Sequence, residues 1–494
     1  MLRLLTVLLA GILAGCVLAP ALPAATPSPS PAPTAAPGPL PTPLPSPTPP
    51  EPTAAPPLPR PSYALSAVLD YAAHTLAVEE TIIYPNRTGR PLEVLALAVE
   101  AADYPGVFTL QSIRDGSGSA IPAGEPVDNR LDLPLPQPLQ PGETLTLQIS
   151  YALALPQRIE SSTAKPMPFG WSDRQTNLVD WYPFVAPYDP VQGWLLHPPG
   201  YYGEHQVYEA ADFTVRLRLE GSLTALTLAA SAPETLDGDW RTFTLTEART
   251  FAISASPYLK SQSRQVGDTT VTAYTFLLDE VAGSRALNAA AQALELYSRL
   301  YSPYPHPSLA VVEADFLDGM EYDGLFFLSY GFYNLSTGRP DEYLVALSAH
   351  ETAHQWWFSS IGNDQALEPW LDEALCTYSE KIFYDFTAPE ALAWWWDYRV
   401  RYFEPQGAIN DSIYNPRKAL DPYPAYRAAV YLNGAVFLDE LRAQIGDEAF
   451  FAFLKDYAGT YRGQIATRAG FFEVLARHTP VDLAPLVARF FDLP

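Results

Sequence analysis

The run His350-Glu351-Thr352-Ala353-His354 constrains this chain more than any other feature, because it makes chemical sense only on a helix. Residues four apart share one helix face, so both imidazoles can reach one divalent metal at about 2.0–2.1 Å. Glu351, one position along, points beside that metal, where it can take a proton from water. The segment Asp341 to Phe358 supports the helix, with Asp341 and Glu342 in its first turn, where acidic side chains suit the helix dipole. Zinc is the ion expected for such donors, and a catalytic zinc needs a third protein ligand and one open position.

A second helix is expected to start at Pro369 and Trp370, and two packed helices can bring a carboxylate to the metal. Composition leaves Asp364, Glu368, Asp372 and Glu373 all open as that third ligand. Glu380, seven residues after Glu373 on the same helix face, is either a partner for a ligand imidazole or a surface residue. Cys376 reads as a small buried residue, and the tryptophans of Trp356-Trp357 and Trp394-Trp395-Trp396 as packing residues. His74, His197, His205, His306 and His478 show no ligand spacing.

Around this motif the chain changes texture three times. Residues 1–15 read as a bacterial lipoprotein signal peptide: Arg3, an apolar stretch from Leu4 to Leu13, then Leu13-Ala14-Gly15-Cys16, which resembles a lipobox. The resemblance implies a lipidated Cys16 and a protein anchored to a membrane in the cell envelope, outside the cytoplasm; the alternative is an ordinary secreted chain. Residues 16–61 form a tether, since 19 of the 51 prolines fall between Pro20 and Pro61 and no apolar periodicity interrupts them.

Residues 62–260 read as an antiparallel, sandwich-like β domain. Leu145, Leu147, Ile149 and Tyr151 alternate with polar residues after the turn Pro141-Gly142, and Phe213, Val215, Leu217 and Leu219 do the same. From 261 to 494 helical spacing prevails, as in Leu287, Ala291, Leu294, Ser298 and Tyr301, with a short β-rich insertion around Leu309 to Leu328. The fold class is therefore α+β and multidomain. With 30 Lys and Arg against 55 Asp and Glu, a net charge of −25, nothing offsets repulsion from phosphates, and nucleic acid is excluded as a partner.

From about Tyr63 onward the chain resembles the zinc aminopeptidases typified by aminopeptidase N, members of the gluzincins. Their signature is H-E-x-x-H, eighteen residues, then a glutamate within W-L-N-E-G; here Trp370-Leu371-Asp372-Glu373-Ala374 follows at that spacing, so the resemblance makes Glu373 the third ligand. Their G-x-M-E-N segment is matched by Asp318-Gly319-Met320-Glu321-Tyr322, so Gly319, Met320 and Glu321 would bind substrate, with Glu321 on the free α-amine. Their tyrosine within Y-x-K-G-A is matched by Tyr431-Leu432-Asn433-Gly434-Ala435, which makes Tyr431 the oxyanion stabiliser. Asp318, Tyr322, Ala374 and Asn433 depart from the family pattern.

The resemblance implies a thermolysin-like catalytic domain with one Zn2+ per chain. It further implies Glu351 as general base and substrates that are peptides with a free N-terminus. The chain stops about sixty residues after Tyr431, which leads us to expect an open cleft. Two other readings stand beside this one: a zinc endopeptidase using that cleft, and a surface lipoprotein that contains metal, binds a partner and performs no catalysis.

Overall fold

The computed structural model describes residues 59–158, 167–221, 225–415 and 423–492. The expected signal peptide, Cys16 and nearly all of the expected tether lie outside the described residues.

The period-two segments form a seven-stranded sheet in the order Glu234–Asp237, Trp240–Ala248, Ala211–Glu220, Ser62–Asp70, Thr75–Pro85, Thr144–Ala154, Phe108–Asp115. Alternation decides which face turns inward: Leu147, Ile149, Tyr151 and Leu153 are buried while their neighbours are half-buried or exposed. A three-stranded and a four-stranded sheet share the same core with it. One pair departs from the expected antiparallel pattern. Ser62–Asp70 runs parallel to Ala211–Glu220, because the connection between them is more than a hundred residues long and no hairpin dictates their direction.

The second half is built on a five-stranded sheet in the order Leu259–Val266, Thr269–Phe276, Ser308–Ala314, Leu325–Ser329, Gly319–Tyr322. This sheet is larger than the insertion expected around Leu309 to Leu328, and it starts before residue 261. Leu259–Val266 is mostly exposed and polar, so it carries no apolar alternation that would set it apart from the preceding β segments. Helices cover one face of the sheet and the β domain the other. Val311, Phe326 and Leu328 point into the helical core, whereas Val312, Leu325 and Phe327 point into the β-domain core.

Gly319–Tyr322 is an edge strand, antiparallel to Leu325–Ser329. Its position is set from two sides. Gln355, just after the second motif histidine, donates to Tyr322 O at 3.0 Å and accepts from Gly324 N at 2.9 Å. Asp323 accepts from the backbone of Arg249 and Thr250, while the Arg249 guanidinium donates to the carbonyls of Tyr208, Ser359 and Gln464. The β domain, the edge strand and the segment that follows the motif helix are thereby clamped together.

Candidate active site

The motif helix is Tyr343–His354, two residues shorter at its start than the sequence suggests. Glu342 stands at the N-cap, but its side chain makes no capping bond; its carboxylate accepts from Ser336, Thr337 and Gly338 in the preceding loop. The second helix is Trp370–Thr387, with Pro369 before its first turn. The two helices pack so that His350, His354 and Glu373 converge. His350 Nε2 lies 3.3 Å and His354 Nε2 3.8 Å from Glu373 Oε2. Ligands of a tetrahedral zinc with bonds of about 2.0–2.1 Å lie roughly 3.3–3.5 Å apart, so the spacing fits the ion. Glu373 Oε2 is buried with no hydrogen-bond partner, a cost that a cation would remove. Two imidazoles and a carboxylate are the donor chemistry of zinc, and the residues fit that group.

Both imidazoles are held from behind. His350 Nδ1 donates to Glu380 Oε1 at 2.9 Å, and His354 Nδ1 to Asp372 Oδ1 at 2.6 Å. A proton on each Nδ1 leaves each Nε2 lone pair free to face Glu373. Behind Glu380, Arg399 donates to both carboxylate oxygens, at 2.7 and 3.0 Å, and Trp395 Nε1 donates at 2.8 Å. Behind Asp372, Gln365 Nε2 donates at 3.1 Å to Oδ2 and reaches Glu321 Oε1 at 3.3 Å. Glu380 is thus fully buried, which settles the alternative of a surface residue.

Glu351 is buried beside the donors, and its Oε2 has no partner. A side chain on Gly319 would overlap Glu351 Oε1, so the bare backbone there makes room for this carboxylate against the edge strand. Asp318 takes a left-handed φ of +76°, a conformation that glycine adopts without strain. Met320 and Glu321 are buried on the same strand. Burial pushes the carboxyls of Glu321, Glu351, Asp372 and Glu373 well above the usual range, and neighbouring carboxylates add to this. A cation among them would offset this and favour their charged forms.

Tyr431 completes the ring: its hydroxyl donates to Glu373 Oε1 at 2.6 Å. It lies on a π-helical turn, Ala428–Asn433, that leads into the helix Gly434–Ile445. A Cβ at Gly434 would collide with that of Ala374, so the two helices can meet closely enough for Tyr431 to reach Glu373. Cys376 is fully buried with its thiol pushed up by burial, and the thiol donates to Asp372 Oδ1 at 3.9 Å.

The structure thus brings together His350, Glu351, His354, Glu373, Glu321 and Tyr431 from four separate elements. Sequence reasoning missed Gln365, Arg399 and the role of Asp372. Arg399 lies on a second π-helical turn, Trp395–Val400, and a third, Gln355–Ser360, directly follows His354. Such turns are frequent at functional sites, and they break the helical period by which a sequence is read.

Residues 285–490 match the peptidase family M1 domain. Human aminopeptidase O is 25% identical over 207 residues, which are 36% of this chain and 25% of that protein. Aminopeptidase N of Lactobacillus delbrueckii subsp. lactis is 25% identical over 42% of this chain and 26% of its own length. The aligned part of the chain thus spans about a quarter of the length of these relatives. An M1 zinc metallopeptidase from Deinococcus radiodurans superposes with a TM-score of 0.60 at 19% identity, covering 88% of this chain and 94% of that one. A mutant of that protein bound to a Tyr-Ser-Ala substrate gives a TM-score of 0.61 over the same shares. The region that matches the family and the β domain before it therefore adopt the two-part fold of those structures.

Proposed function

We propose that this protein is a zinc aminopeptidase that removes N-terminal residues from peptides, with His350, His354 and Glu373 holding one Zn2+. The observation that carries the reading is the convergence of these three donors with Glu351 beside them and Glu321 on the adjoining edge strand. When bound, the zinc supplies a Lewis acid that acidifies a water and polarises the scissile carbonyl.

The protein's own groups do the rest. Glu351 takes the proton of the attacking water at its unpartnered Oε2 and returns it to the nitrogen of the leaving amine. Burial and the surrounding carboxylates raise its basicity for that task. Tyr431 turns its hydroxyl from Glu373 to the developing oxyanion, a donor of a kind worth ~3–4 kcal/mol. Glu321 accepts the substrate's ammonium and so fixes which bond reaches the water. Gly319 and Met320 lend the unpaired edge of their strand to the substrate backbone. Glu380 and Asp372 keep the two imidazoles in the required tautomer and orientation.

The proposal extends to location. The lipobox-like Leu13 to Cys16 and the proline-rich stretch after it support an enzyme tethered to a membrane outside the cytoplasm. Incorporation of labelled fatty acid, abolished in Cys16→Ser, tests this; equal labelling of the variant contradicts it.

The activity is tested with a panel of peptides assayed free and N-acetylated. Hydrolysis confined to the free-amine set, one residue at a time, supports the reading and the role of Glu321. Cleavage of the acetylated set identifies an endopeptidase instead.

A further inference from the structure

Glu321 and Met320 also line a cavity of about 460 Å3, within the range of small-molecule sites. Its apolar walls are aromatic: Tyr104, Phe169, Tyr208, Tyr322 and Phe358. Its polar wall is carboxylate: Glu100, Asp103, Asp180, Glu204 and Glu321. No lysine or arginine lines it among the described residues. Gln365, which bridges Glu321 to Asp372, is part of the same wall, so the cavity is continuous with the site already described.

These carboxylates are not equivalent. Glu100 is committed to its neighbours: it accepts from Asn129 at 3.0 Å, from Gln206 at 3.2 Å and from His205 at 3.0 Å. Asp180 accepts from the Tyr208 hydroxyl at 2.7 Å. Glu204 is half-buried and makes no hydrogen bond or ion pair with any described residue. Glu321 is only 6% exposed, and it gives one oxygen to Gln365 at 3.3 Å while the other has no partner among the described residues. Two carboxylates in one aromatic-walled cavity thus await positive charge.

The proposed function places one cation there, the substrate's α-ammonium on Glu321. That leaves Glu204 half-buried without a positive partner, and a second positive charge entering with the same ligand would pair it. A basic side chain on the first residue supplies it. Its methylene stem suits the aromatic walls, and its charged head gains from both the ring faces and a charge-assisted hydrogen bond. We infer that this cavity selects peptides whose N-terminal residue is arginine or lysine, with Glu204 as the carboxylate that receives the side-chain cation. The inference rests on the aminopeptidase reading and adds the substrate class to it.

The test compares kcat/KM for the 4-nitroanilides of arginine, citrulline and leucine, using the full chain and Glu204→Gln. Citrulline keeps the shape of arginine and removes its charge. The expected result is a preference for arginine over citrulline on the order of tenfold or more, falling to about threefold or less in Glu204→Gln. Because the readout is a ratio on one sample, partial misfolding lowers both rates and leaves it unmoved. Equal turnover of arginine and citrulline by the unaltered protein overturns the inference. So does an equal loss on both in Glu204→Gln, which would place Glu204 at the α-amine instead. Hydrolysis of leucine without preference for arginine defeats the inference alone, whereas no hydrolysis of any of the three defeats the aminopeptidase reading beneath it.

Discussion

The two motif histidines occupy equivalent places on one helix, yet the carboxylates behind them live in opposite electrostatic conditions. Burial pushes both carboxyls up. At Glu380 the Arg399 guanidinium, joined by His350, overcomes burial and holds the carboxyl below its ordinary range. At Asp372 the main helper is the neutral Gln365 amide, and the carboxyl stays well above that range. The His350 side is a closed, compensated ion pair backed by Trp395. The His354 side is linked to the edge strand, since the amide that supports Asp372 also touches Glu321. The first arrangement builds the site, and the second couples it to what enters.

The largest expected effect breaks the compensated side. Arg399→Met leaves Glu380 buried without its cation and should cost about 3–5 kcal/mol in a urea or thermal melt. A loss below about 1 kcal/mol would show that the pair is not the anchor described here. Next comes a buried carboxylate that makes no salt bridge with any described residue. Glu313 is pushed up to about 8, first by burial, with one oxygen bonded to Phe276 N and the other unpartnered. The folded state therefore binds a proton that the unfolded state has released, so stability falls as pH rises from about 4.5 to 8, by on the order of 2–4 kcal/mol. Glu313→Gln should flatten that slope in melts taken across this window, and an unchanged slope would contradict the assignment.

On the His354 side, Asp372→Ala should lower zinc affinity about 10–100-fold in a chelator competition. Asp372→Asn keeps an acceptor for His354 Nδ1 and should lose less; equal losses would mean that charge, not orientation, is what Asp372 provides. The smallest effect concerns the edge strand. Asp318→Gly removes a left-handed aspartate and should raise stability by about 0.5–1 kcal/mol. No gain in Tm would mean that the contact of Tyr423 with Asp318 already offsets the strain.

The two motif histidines were legible because their order is local: His350 and His354 sit four apart on one helix, and helix geometry converts that spacing into a shared face. Glu373 was one of four open carboxylates, and resemblance singled it out. Glu321 and Tyr431 were legible by resemblance only, since nothing in an edge strand or among clustered tyrosines marks them. Arg399 and Gln365 were not legible, because each acts across the fold from a segment without period. Asp372 was in view as a ligand candidate, but its use of a different imidazole nitrogen depends on how the two helices pack. In the β domain alternation picked out the half-buried strands, whereas the parallel pairing of Ser62–Asp70 and the exposed strand Leu259–Val266 carry no such signal.

The most direct test of the account measures zinc per chain and peptide turnover in the full protein, in Glu351→Gln and in Glu373→Gln. Glu351 is read as standing beside the metal and Glu373 as holding it. The predicted result is one zinc per chain with no turnover in Glu351→Gln, and loss of zinc in Glu373→Gln. Loss of zinc from both variants, or full turnover by Glu351→Gln, would contradict the division of labour on which the mechanism rests.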